Sequence, residues 1–178
     1  YLFVAEKIQS VLNGIESDMG AAKISEGDAR SLLLDDTSVD GIIFSPPYSF
    51  AIDYLDNDAF HIRYLGADLE KLRHKMVGLR GRNLKEKLEL YREDMGLILE
   101  QCSRVLRQGR FCTIVVGTNN NQLSKVLGLP PNKVPGLDRL LVELAEENGL
   151  NLVRTMRRSI IGISNTMRRE YILLFQKT

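Results

Sequence analysis

The sequence predicts an α/β fold with a mostly parallel sheet, and three observations lead there. Apolar segments of strand length alternate with segments of helical periodicity, the pattern of strands joined by helices. Val39-Asp40-Gly41-Ile42-Ile43-Phe44 ends in a continuous apolar run bounded by turn residues, as strands buried on both faces do. The chain has 178 residues, 44% hydrophobic and 26% charged, which suits one globular domain over residues 1–178.

Each element follows in order. Residues 1–18 read as an amphipathic helix, because Leu2, Ile8, Val11, Leu12 and Ile15 recur at roughly helical spacing, with Gly20 as a stop. Ala22-Lys23-Ile24-Ser25 reads as a short strand ending at Gly27-Asp28-Ala29-Arg30. Asp35-Asp36-Thr37-Ser38 is turn chemistry ahead of the strand at 39–44, which stops where Pro46 and Pro47 cannot continue a ladder. Residues 50–108 read as a helical, basic insertion. Its longest helix spans 84–106 through Leu88, Tyr91, Met95, Ile98, Leu99, Cys102 and Val105, with Gln108-Gly109 as its stop. Phe111 to Val116 is a second central strand. Asn119-Asn120-Asn121 and Pro130-Pro131 mark a loop, and Leu137 to Asn148 is a helix closed by Gly149. Leu152–Met156 and Tyr171–Phe175 read as the last two strands.

Charge and cysteine usage narrow the function classes. Net charge is +1, but residues 1–60 hold three basic residues against eleven acidic ones, a balance of −8, leaving +9 on the remainder. Residues 71–87 carry seven basic residues against Glu86 alone, and Arg154, Arg157, Arg158, Arg168 and Arg169 form a second cluster. Such polarity fits a protein that meets a polyanion with one face, and equally the solvated faces of helices. Two cysteines, Cys102 and Cys112, give no disulfide framework, and the first residues carry no basic lead or cleavage pattern. A reduced, cytoplasmic setting is expected. No run of about 18 apolar residues exists, so no membrane partner is expected. His61 and His74 stand alone, so no metal site is expected.

The sharpest motif is Phe44-Ser45-Pro46-Pro47-Tyr48, at the carboxyl end of a predicted central strand, where open α/β sheets bind ligands. A hydroxyl, a rigid carbonyl and an aromatic face gathered at one point suit a planar ring bearing an amine. Gly27-Asp28-Ala29-Arg30 lies ahead of it, and Arg107-Gln108-Gly109 before the next strand. Together these resemble the S-adenosylmethionine-dependent amino-methyltransferases, and the serine form of the motif resembles the cytosine-N4 DNA methyltransferases.

That resemblance implies a Rossmann-like methyltransferase fold with an antiparallel C-terminal strand. It implies Ser45 and the Pro46 carbonyl as acceptors for the target amine, Pro47 stiffening the turn, and Tyr48 stacking on an extruded base. Gly27, Asp28 and Ala29 would meet the cofactor, Asp28 at the adenine amine and the Ala29 N–H at a ring nitrogen. DNA is the expected partner, held by Lys75, Arg80, Arg82 and Lys85, with Asn119 near a base edge. Turn formation explains Asn119 equally well, and Asp53 and Tyr54 are open between lining the target pocket and capping a helix. An RNA base methyltransferase and a catalytically silent nucleic-acid-binding subunit are the alternatives. The family's glycine-rich cofactor loop and its ribose-binding carboxylate have no counterpart in these 178 residues. The cofactor half of the domain, with its first two strands, is therefore expected on a further segment or a second chain.

Overall fold

The computed structural model of the protein describes residues 21–47, 53–159 and 169–178. The expected helix at 1–18 lies outside them. Four strands form one sheet in the order β1-β2-β4-β3: β1 Val39–Phe44, β2 Leu106–Gly117, β3 Leu150–Ser159 and β4 Arg169–Lys177. β1 and β2 are parallel, and β4 runs antiparallel to both β2 and β3. Three strands thus share one direction and the C-terminal strand opposes them, as the sequence predicts.

Among the described residues six helices fill the connections: α1 Tyr54–Asn57, α2 Ala59–Tyr64, α3 Leu69–Lys75, α4 Leu84–Val105, α5 Asn120–Leu127 and α6 Leu137–Glu147. The core lies between one sheet face and helices α4 and α6. Cys112, Ile114, Val116, Leu150, Leu173 and Phe175 from the strands meet Tyr91, Met95, Leu99, Leu141 and Ala145 from the helices, all fully buried. The free thiols of Cys102 and Cys112 are both buried within it. α4 starts sharply because Asn83 Oδ1 accepts the Glu86 N–H at 3.0 Å while the Glu86 carboxylate takes the Arg82 N–H at 2.8 Å. This is close to a reciprocal capping box.

The end of α4 positions the start of β1. Thr37 and Ser38 N–H groups donate to the Arg104 and Val105 carbonyls. The Arg104 guanidinium donates to the carbonyls of Leu32 and Leu34 and to the Asp36 carboxylate. Arg107 reaches Asp40 on β1 at 2.7 Å.

Three expectations are corrected. Ala22–Ser25 is not a strand: residues 21–27 carry no regular structure and all are exposed. A strand needs a neighbour for its ladder, and no described segment lies beside these residues. Gly109 does not stop α4, which ends at Val105. Its φ of +74° instead shapes a bulge in β2, where the register moves from Val39↔Leu106 to Gly41↔Phe111. The asparagine run is not all loop, because Asn119 caps α5 by accepting the Gln122 N–H.

A fourth expectation is corrected as well: β1, read as a central strand buried on both faces, forms one edge of the sheet among the described residues, because no described strand pairs with its outer side. Its outward residues are open, with Ile43 81% exposed. The same residues contain no helix long and apolar enough to cross a membrane, and no cluster of candidate metal ligands.

Candidate active site

The carboxyl end of β1 opens into a cleft of about 990 Å³. It brings together two sequence motifs that lie far apart along the chain: Glu26 to Arg30 on one wall, and Phe44 to Pro47 on another. Leu55, Ile62, Leu72 and Ile98 supply apolar lining, and Lys75 stands on its rim.

Ser45 leaves the sheet exposed, Pro46 is buried and Pro47 half-buried, so the turn is anchored by its first proline. Tyr48 lies outside the described residues. Ser45 Oγ donates to the Val115 carbonyl of the neighbouring strand at 3.0 Å. A hydroxyl has one hydrogen and two acceptor lone pairs. With its hydrogen committed to β2, Ser45 meets the cleft as an acceptor. This is the role an amine donor requires.

Across the cleft, Gly27 to Ser31 form a tight turn in which the Ser31 N–H donates to the Asp28 carbonyl at 2.9 Å. The Asp28 carboxylate is half exposed and gripped by its neighbour. Oδ1 accepts the Arg30 backbone N–H and Nε at 2.9 and 3.0 Å, and Oδ2 accepts Nη2 at 2.7 Å. The Arg30 side chain, then its N–H, hold this carboxyl at a pKa of about 2. Nε also shares its hydrogen with Oδ2 at 3.3 Å. A carboxylate offers about four acceptor sites, so these three hydrogens leave room for one more donor.

Arg30 connects onward. Its Nη1 donates to Asp94 of α4 at 2.8 Å, and Arg80 Nη2 donates to the same oxygen at 2.6 Å. Asp94 has a side chain 2% exposed. Reading the sequence for motifs misses this chain of charges. A signal existed: Asp94 falls on the apolar stripe of α4 between Tyr91 and Ile98, where a carboxylate needs a partner.

The basic stretch is not one uniform surface. Arg80 points to Asp94, and Arg73 pairs with Asp53 and Asp56 at 2.7 Å each. Lys75, Arg82 and Lys85 are exposed, Lys85 beside a second groove between α4, α5 and α6. Asn119 is buried and spends its Oδ1 on the α5 cap. Asp53 accepts the Asp56 N–H at the start of α1.

The cleft has the size of small-molecule sites, roughly 300–1,000 Å³. An aspartate with room for one more donor and a serine turned acceptor line it, so the residues present fit amine donors, such as the adenine of S-adenosylmethionine at Asp28. No protein-family model and no curated protein matches the sequence.

Solved structures do match. An SAM-dependent methyltransferase from Methanosarcina mazei aligns over 95% of this chain and 74% of its own, at 12% identity and a TM-score of 0.53. A Thermus thermophilus protein provisionally named a DNA modification methylase aligns over 85% of this chain at 18% identity and a TM-score of 0.47. This chain spans 50% of that protein's length. The same protein complexed with S-adenosyl-L-methionine gives 15% identity and a TM-score of 0.46. The Methanosarcina likeness shows the fold: the chain has a methyltransferase-like α/β fold.

Proposed function

We propose that this chain belongs to an S-adenosylmethionine-dependent methyltransferase acting on the exocyclic amine of a base in DNA, cytosine N4. The observation that carries the reading is Ser45, held as an acceptor by its bond to Val115 and facing the same cleft as Gly27, Asp28 and Ala29. The cofactor, when bound, supplies an electrophilic methyl group. Asp28 accepts the adenine amine, and the Ala29 N–H meets a ring nitrogen.

Ser45 Oγ and the Pro46 carbonyl accept the two hydrogens of the target amine. The lone pair on that nitrogen is otherwise delocalised into the ring. Two acceptors favour a pyramidal nitrogen and fix its direction of attack, and such orientation supplies a large part of the rate. A neutral serine orients the amine and does not deprotonate it, so the proton that the nitrogen sheds on methylation passes to solvent. The target base leaves the duplex to enter the cleft, and Tyr48 recovers part of the unstacking cost by stacking, about 1–3 kcal/mol.

Lys75, Arg82 and Lys85 carry the phosphate contacts in this reading; Arg80, tied to Asp94, leaves the set. A further segment or second chain supplies the glycine-rich loop. The open edge of β1, with Ile43 outward, supports this by offering a place for another strand.

The experiment is methyl transfer from labelled S-adenosylmethionine to cytosine-containing duplex DNA, in a form that carries the glycine-rich loop. N4-methylcytosine in the digested product is the expected outcome. Label appearing in RNA alone would replace the DNA reading. No label in either, with nucleic acid still bound, would favour the silent subunit.

A further inference from the structure

We propose that Asp94, acting through Arg30, is a positioning residue that orients Asp28 toward an adenine amine. This rests on the cofactor reading above. Asp28 is not held by packing, since its side chain is 51% exposed and every residue from 21 to 29 is exposed. Its orientation depends on Arg30. All three guanidinium nitrogens of Arg30 are engaged: Nε and Nη2 on Asp28, Nη2 also on the Lys75 carbonyl, and Nη1 on Asp94. The Asp28 and Asp94 bonds point to opposite sides of one planar fork. Fixing one end therefore fixes the other.

The fixed end is Asp94. It sits in the core of the longest helix and accepts Arg30 and Arg80 on one oxygen, while its Oδ2 is buried with no hydrogen-bond partner. A buried ion pair is weak evidence for stability, because an apolar replacement of similar volume often serves as well. What this one does is geometric. It ties the turn at 27–31, the segment at 75–80 and helix α4 into one charge-neutral chain, Asp28–Arg30–Asp94–Arg80, whose first two members line the cleft.

The test compares wild type with Asp94→Asn and Arg30→Lys by NMR, in a form that carries the glycine-rich loop, using adenosine and inosine as probes. Adenosine presents an amine to Asp28, whereas inosine presents a carbonyl oxygen that the carboxylate repels. In wild type, adenosine is expected to shift the Gly27 and Ala29 amide signals, and inosine at equal concentration is not.

In Asp94→Asn, adenosine affinity should fall at least tenfold and the preference over inosine should collapse. The Arg30 and Ser31 amides should exchange with solvent at least tenfold faster, while Leu99 and Cys102 in α4 keep their protection. A merely structural role would weaken both nucleosides alike. Retained preference with unchanged exchange overturns the proposal. If Asp94→Asn loses the α4 protection, Arg30→Lys decides. It keeps the charge and leaves Asp94 paired with Arg80, but a lysine cannot span both carboxylates, so retained adenosine preference there overturns the proposal. If wild type shows no adenosine-specific shift, the cofactor reading fails first and the inference falls with it, whatever the exchange rates do.

Discussion

At the scale of single residues, two side chains carry testable chemistry. In the proposed reading, Ser45→Ala removes an acceptor for the target amine and no contact to the cofactor. In a loop-bearing form it should lower methyl transfer about 100-fold, the cost of a misoriented reactant. Cofactor affinity, read by calorimetry, should stay within about twofold, since no cofactor contact is removed. An unchanged turnover number would remove Ser45 from the chemistry. Asp28 makes a prediction in pH. Its carboxyl lies at about 2 in the folded chain, below the ordinary 3.8, first because Arg30 bonds it. A depressed carboxyl contributes stability that is fully present above about pH 4 and is lost as pH falls toward 2. The side chain is half exposed, so screening holds the contribution to roughly 1 kcal/mol or less. Denaturant titrations of wild type and Asp28→Asn should differ at pH 6 and converge at pH 2.

At the scale of elements, caps and bulges decide where each segment begins. Asn83→Ala should cost about 1 kcal/mol, measured as a lower denaturation midpoint, because it frees the Glu86 N–H at the start of α4. Gly109→Ala should cost about 1–2 kcal/mol, since an alanine at φ +74° is strained whatever space surrounds it. The stripe of α4 was legible from Leu88 to Val105 because 3.6-residue periodicity is a local property. The end of α4 was not, because Gly109 serves equally well as a helix stop or as a bulge. The strand at 22–25 misled for the same reason. One isoleucine among polar residues becomes a strand only if another strand lies alongside, and local pattern carries no information about that.

At the scale of the whole molecule, the proposed reading gives this chain some of a cofactor's contacts and leaves others to a further segment or second chain. Calorimetric titration of S-adenosylmethionine into residues 1–178 should show weak or undetectable binding. Micromolar affinity would mean that the missing contacts are supplied in a way the proposed reading does not include. Duplex binding makes a second test. Replacing Arg82 and Lys85 with Ala should weaken DNA affinity across all sequences and flatten its salt dependence by roughly one unit of slope per lost phosphate contact. Unchanged affinity and slope would move the polyanion face to the exposed Arg154 and Arg157 of β3.

Local pattern and motif together reached the α/β class, the existence of strands β1 and β2, helices α4 and α6, and the Ser45-Pro46-Pro47 turn at a strand's carboxyl end. Those properties depend on periodicity, on proline's missing N–H and on short-range spacing, all written along the chain. Folding in three dimensions decided the partners. Ser45 finds the Val115 carbonyl seventy positions away, and Arg30 finds Asp94 sixty-four positions away. Arg80, which reads in one dimension as part of a basic patch, turns inward because a buried carboxylate needs a countercharge. Charge composition is additive along a sequence, but pairing depends on which side chains the packed helices bring within reach.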